Sequence, residues 1–347
     1  LNMTSGFQWK EDYSAKKPLL SDVIQMLYMD ARADRAAFVA TRPMTAAPGD
    51  HYYYSTGDMS LAMGVLKYRM RTENYDRYPW RRLFDRIGMR DVAWERDDSG
   101  SFDGGSSIYA TARDYARFGY LLLKRGKWNG DQVVSEEWVQ MLQTLSPGLA
   151  SGNVRPEGKK TYGTGFWLNQ AAPKWNMPVP YPTAPADTFF ALGHNGQMIT
   201  IIPSKDLVIV RIAHDEGDDR VDWNEFFTRA AASVVKVPEP EYRIGIEPIP
   251  AELIRGPNAK EPAPPVYTKK RTSMVHFTKL LAAVRAKDYC ACRFVVGQSE
   301  EYCTALVKNG FPMLRKKIDE KKKIAKFGIL PVQKARLVSD RFGCSLL

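Results

Sequence analysis

Residues 51–66 read HYYYSTGDMSLAMGVL, which sets a phenol directly before two short hydroxyls. A tyrosine held beside Ser and Thr can pass protons in an acyl-transfer site. The same residues also describe an aromatic wall followed by a Ser/Thr helix cap, because Leu61, Met63, Val65 and Leu66 recur at helical spacing. On this stretch alone both readings stand. A second stretch with chemical potential is LGHNGQ, ending at Gln197, between aromatic and β-branched runs. Its His194 titrates near neutrality and is either a structural histidine at a strand end or part of a site lining; its glycine neighbours and strand-turn context favour the lining.

The elements around these stretches change character along the chain. Residues 1–150 read as mainly helical. SDVIQMLYMDARADRAAFVATRP has a Ser/Asp start and apolar residues at helical intervals, TARDYARFGYLLLKRG opens on a Thr cap, and SEEWVQMLQ opens on Ser135 with acids in its first turn. From about residue 160 come YGTGFWLN, DTFFALGH, QMITIIP and DLVIVRIA, short strands separated by Gly, Pro, Asn and Asp, with PSKD as a hairpin turn. The helix DWNEFFTRAAASVVKV follows. Helices on an antiparallel sheet make an α+β domain. Residues 237–272 are rich in Pro and charge and read as a linker or arm. Residues 273–347 read as a small appendage with one helix, a Cys segment and a β-hairpin around IDEKKKI.

The chain has 347 residues and a formal net charge of +11. Residues 251–347 hold 20 Lys and Arg against 8 Asp and Glu, whereas 1–250 hold 30 against 31. The basic character therefore belongs to the C-terminal part, densest in LRKKIDEKKKIAKF. Such a run suits a solvated face or attachment to an acidic surface such as anionic lipid or a wall polymer; no recognition motif accompanies it that would imply nucleic acid. No apolar run reaches the roughly 18 residues of a membrane span. All four cysteines, Cys290, Cys292, Cys303 and Cys344, lie in this part. Two disulfides in an oxidising compartment are the favoured reading; a zinc site is the rival, and the spacing lacks its paired C-x2-C knuckles. Reduced structural thiols are the third alternative.

Four strips, in order, resemble the serine β-lactamase/penicillin-binding-protein superfamily, especially its esterase and 6-aminohexanoate-dimer hydrolase branch: LNMTSGFQW, PGDHYYYSTGDMSLAMGVL, GGSSIYATARDYARFGYLLLKRGKWNGDQVVSEEWV and LGHNGQMITIIPSKDLVIVRI. The resemblance covers residues 1–236. It implies a β-lactamase/transpeptidase-like fold, an antiparallel sheet with packed helices plus a helical subdomain, carrying the small Cys-containing C-terminal appendage. It also implies a serine in a Ser-x-x-Lys motif that attacks a carbonyl, an acyl-enzyme, and a lysine and tyrosine that handle the proton. Carried onto this sequence, Tyr54 is the acid/base, Thr56 holds the third position of its motif, and His194-Asn195-Gly196 stands where penicillin-recognising members have Lys-Thr-Gly. The backbone N–H of Gln197 is an oxyanion donor. Replacing a fixed cation by His194 suits a neutral ester or amide better than a β-lactam carboxylate. No metal and no cofactor are implied, and the expected compartment is periplasmic or secreted.

The family's Ser-x-x-Lys lies some tens of residues before the MTSG strip, and here Leu1 and Asn2 precede that strip. The resemblance thus implies a fragment of a longer hydrolase, inactive as it stands; the competing implication is a non-catalytic peptide- or wall-binding scaffold on the same fold. Ser14-Ala15-Lys16-Lys17 fits the spacing but reads as a solvated turn after the wrong strip. In the tail, YCACRFVVGQSEEYC and RFGCSLL resemble a Cys-bearing strip of some hydrolases of this branch, where it precedes the hydrolase domain. That resemblance implies the pairs Cys290–Cys344 and Cys292–Cys303.

Overall fold

Side-chain caps start most helices of the body. In the computed structural model, which describes residues 1–13, 20–70, 75–154, 156, 160–215, 221–234, 274–308, 315–328 and 332–347, Ser21 caps α1 (Asp22–Tyr28) and Asp34 caps α2 (Arg35–Ala40). Ser55 caps α3 (Thr56–Arg69), its hydroxyl accepting from the Asp58 N–H. The Pro-rich arm 237–272 and Ser14–Lys17 lie outside the described residues. The strip 21–43 departs from one continuous helix: Met29 turns extended, a 3-10 turn covers Asp30–Ala33, and Asp34 caps a new helix. A capping side chain competes with the helix it interrupts.

A short hairpin, β1 (Val92–Trp94) with β2 (Ile108–Ala110), follows within the part read as helical. Then come α4 (Ala112–Leu123), capped by Thr111, the two-residue strands β3 (Lys127–Trp128) and β4 (Asp131–Gln132), α5 (Glu136–Leu142), capped by Ser135, and α6 (Pro147–Ala150). The main sheet is antiparallel with strands in chain order: β5 (Thr161–Tyr162), β6 (Trp167–Leu168), β7 (Phe189–Leu192), β8 (Met198–Ile202) and β9 (Leu207–Arg211). PSKD makes the β8–β9 turn, with Asp206 left-handed at φ 48°.

Every residue of β8 is buried because both sheet faces are covered. Ile199 and Ile201 face Leu122, Val139 and Leu142 of α4 and α5. Met198 joins Phe190 and Phe227, the last from α7 (Trp223–Ser233), which Asp222 caps. Helix α4 lies close on the sheet at Gly119, where a Cβ would stand 2.6 Å from Val208.

The C-terminal part is richer than a helix and a hairpin. Helix α8 (Met274–Cys290) runs into a π-helical turn over Ala291–Val295, then α9 (Glu300–Lys308) and an antiparallel sheet of β10 (Lys316–Asp319), β11 (Ile324–Phe327), β12 (Gln333–Ser339) and β13 (Gly343–Leu346). Ala282, Ala283 and Ala286 of α8 pack on Ala325, Phe327, Ala335 and Leu337. The disulfides are Cys290–Cys344 and Cys292–Cys303, as the tail resemblance implies. Cys290 ends α8 and Cys292 lies in the π turn.

This part is packed against the body. Phe342 joins the cluster of Trp80 and Phe102, with the Arg96 guanidinium 3.6 Å above its ring. Glu95, fully buried, holds Lys287 Nζ at 2.6 Å and accepts from the Cys344 N–H at 3.2 Å. Beside it Arg35 and Asp103 pair at 2.7 Å, both buried. Burial alone would raise the Asp103 carboxyl, but Arg35 and Lys287 outweigh it and hold it below its ordinary value.

Candidate active site

Three consecutive tyrosines in extended chain must alternate sides. Tyr52 and Tyr54 both meet the Tyr162 ring, at 6.0 and 5.8 Å, while His51 and Tyr53 stack on each other. Tyr52 is core, and Tyr53 packs beside the α1–α2 cluster. Tyr54 is half-buried, its ring stacked on Trp167 at 5.1 Å. The Ser55 cap then turns the chain into α3. Ser5, of the MTSG strip, donates to Asp58 in the first turn of that helix at 2.8 Å.

A carboxylate absent from the sequence reading fills the start of α3. Glu11 accepts from the Thr56 N–H (3.0 Å), the Thr56 hydroxyl (2.5 Å), the Trp9 indole (2.5 Å) and the Tyr13 hydroxyl (2.8 Å). Free backbone N–H groups and the helix dipole favour an anion there. Burial, then the Glu11 charge, pushes the Tyr54 phenol up to about 12. The same two causes raise Tyr13, whose hydroxyl also lies 3.2 Å from that of Thr56.

The third motif forms a tight turn between β7 and β8. Asn195 is left-handed at φ 56° and Gly196 at φ 83°. A Cβ on Gly196 would meet the Asp215 carboxylate and the Arg211 guanidinium, at 2.1 and 2.2 Å. Those two groups brace the turn: Arg211 donates to the Gly196 carbonyl at 2.9 Å and twice to Asp215. The Asp215 N–H donates to the Asn195 carbonyl at 3.0 Å, and the Gln197 amide pairs both ways with the Ala213 backbone. Asn195 Nδ2 lies 3.3 Å from His214 Nδ1. His194 is exposed at one edge, yet burial first and His214 second lower its pKa below the ordinary 6.5. Both causes favour the neutral ring.

The ring on His194 is that of Tyr13, at 5.9 Å, rather than that of Tyr54. Tyr13 thereby joins the two motifs: it touches His194 on one side and Glu11 and Thr56 on the other. Glu11 and Tyr13 link Thr56 to His194, Tyr54 packs to one side on Tyr162 and Trp167, and Asn195, Gly196 and Gln197 continue the turn from His194. The signal for the missed residues was the alternation Trp9-x-Glu11-x-Tyr13 directly after MTSG. A further Ser-x-x-Lys, Ser233-Val234-Val235-Lys236, closes α7; Ser233 donates to the Ala230 carbonyl at 2.8 Å, and Lys236 lies outside the described residues.

A sequence profile of the Beta-lactamase family matches residues 1–232. The chain belongs to this family. Among curated relatives of this β-lactamase-family chain, the 6-aminohexanoate-dimer hydrolase of Paenarthrobacter ureafaciens is 26% identical over 198 residues, 55% of this chain and 46% of that protein. An uncharacterised protein of Alkalihalophilus pseudofirmus is 31% identical over 120 residues, 34% of each. The chain thus spans about a third to a half of the length of these relatives. Among solved structures, EstCE1, described as a hydrolase with promiscuous acyltransferase activity, superposes with a TM-score of 0.50 at 14% identity, covering 67% of this chain and 70% of that one. The fold is β-lactamase/transpeptidase-like.

Proposed function

We propose that the protein is a serine hydrolase that cleaves a small, uncharged ester or amide through an acyl-enzyme. The observation that carries this reading is the hydrogen-bonded set Glu11, Thr56 and Tyr13, which begins two residues past Tyr54 and reaches the β7–β8 turn through the Tyr13 ring on His194. The motif's lysine takes the serine proton as the serine oxygen attacks the carbonyl, the Gln197 N–H receives the oxyanion, the tyrosine gives its proton to the leaving group and regains one from that lysine, and water then hydrolyses the acyl-enzyme. A phenol pushed up to about 12 is protonated at rest. It serves first as acid, and becomes a base only when a cation such as the motif's lysine stands beside it. Thr56, Asn195 and Gly196 shape the substrate-binding side. A neutral His194 offers no fixed charge to a substrate carboxylate, which favours uncharged substrates. The 6-aminohexanoate-dimer hydrolase among the relatives and EstCE1, described as a hydrolase with promiscuous acyltransferase activity, agree with this class. Two disulfides among the described residues suit a periplasmic or secreted enzyme.

The test is hydrolysis of a p-nitrophenyl ester by the chain, by Ser14→Ala, and by the chain supplied with a Ser-x-x-Lys segment. Silence from 1–347 and turnover with the segment are expected. Turnover by 1–347 that Ser14→Ala abolishes would instead place the nucleophile in SAKK. Substrate binding without turnover in every case would make the groove a scaffold for peptide or wall fragments and end the enzyme reading.

A further inference from the structure

The C-terminal sheet has one covered face and one open face. Ala325, Phe327, Ala335, Leu337 and Leu346 point inward onto α8. The alternate residues point away from it. In strand register, Lys317 stands opposite Lys326, and Lys326 opposite Lys334. Neighbouring strands lie about 4.8 Å apart, so three ammonium-bearing chains stand abreast across roughly 10 Å. Arg336 follows on the same side of β12, exposed like Lys317 and Lys334. Like charges directly opposite one another weaken a sheet. Among the described residues, none of these four cations has an acidic partner, whereas nearby Lys316 pairs with Glu300 at 2.8 Å. The inner face of the same sheet is fixed to α8 by Cys290–Cys344, so the cations sit on a braced plate.

We propose that this face docks the protein onto an anionic lipid bilayer. Three of the four cations are lysines, hydrated point charges suited to the diffuse field of a charged surface rather than to bidentate recognition. Val332 and Val338, 41% and 50% exposed, stand at the two ends of β12 with Lys334 and Arg336 between them. Apolar side chains flanking cations gain from a headgroup boundary and gain nothing from a soluble polyanion. The open face presents no aromatic ring among the described residues on which a nucleic-acid base would stack.

The experiment is co-sedimentation of the whole chain with vesicles of phosphatidylcholine and phosphatidylserine, with phosphatidylcholine alone as the blank. Binding to the anionic vesicles only, weakening with added salt, is expected. Each lysine near an anionic leaflet is worth about fivefold in partition, so K317Q/K326Q/K334Q should bind about a hundredfold more weakly. The charge-matched control K127Q/K160Q/K205Q should stay within a few fold of the parent. V332S/V338S should weaken vesicle binding while leaving binding to inorganic polyphosphate unchanged. Should the triple variant fail to fold, K317Q and K334Q singly make the same comparison. Equal losses in the two triple variants would overturn the proposal, as would no vesicle binding alongside tight binding to polyphosphate or duplex DNA.

Discussion

The groove around Tyr54 and the seam between the body and the C-terminal part both gather titratable groups, with opposite outcomes. In the seam, Glu95, Lys287, Arg35 and Asp103 are shut away from water and matched charge for charge. In the groove, one carboxylate gathers four neutral donors, and the phenols and imidazole around it are pushed toward their uncharged forms. A buried pair has one workable protonation state. The groove's phenols and imidazole rest uncharged, so the phenols hold protons that they can give. The seam matches charge with charge, and the region around Glu11 matches one charge with neutral donors.

Substitution in the seam should give the largest effect. Glu95→Ala strands Lys287 and the Cys344 N–H, and a broken buried pair costs about 3–5 kcal/mol; the urea midpoint should fall accordingly. A midpoint within error of the parent would show that the seam is not a stability element. Tyr54→Phe should separate the regions in the other direction. With a Ser-x-x-Lys present, ester turnover should fall by about a hundredfold while the urea midpoint stays put, because the ring keeps its packing on Trp167. Parallel losses of activity and stability would make Tyr54 a wall residue.

Ser55→Ala tests the joint between element and site, and should cost about 1 kcal/mol through the lost cap. The smallest effect is expected from acid. The folded pKa of His194 is lowered, so the unfolded chain binds its proton more readily and stability contributed by neutral His194 declines as pH falls below 6.5. An NMR titration of the His194 ring should give a pKa under 6.5; a value above it would mean that a charged imidazole, and hence a substrate carboxylate, belongs in the groove.

Local chemistry was the legible part of the sequence. Ser21, Ser55, Thr111, Ser135 and Asp222 mark helix starts because a cap acts within three residues, and the β8 run marks a strand covered on both faces. Tyr54, the acid/base that the resemblance implies, lies on the same side as core Tyr52, its ring stacked on Trp167. What stayed hidden depends on distant partners. The alternation Trp9-x-Glu11-x-Tyr13 sets Glu11 on one face with two rings, but its meeting with Thr56, 45 positions away, depends on the fold. The lysine row exists only once three strands are in register. The break at Met29 was masked because apolar spacing continues through it. Cys290 and Cys292 were paired correctly from the tail resemblance, while nothing local announced the helix end and π turn that hold them.

The Glu95 seam also sets an order of events for a chain being made. Glu95 is synthesised 249 positions before the Cys344 N–H that it accepts, and Arg32 donates to the Leu346 carbonyl 314 positions later. Contacts of such separation form late, because a long loop must close before they return anything. At ribosomal speed of about 5–20 residues per second, the body waits tens of seconds with Glu95 unpaired and the Trp80–Phe102 surface lacking Phe342. During that interval the surface is open to association with other nascent chains, and it closes only when Phe342 arrives.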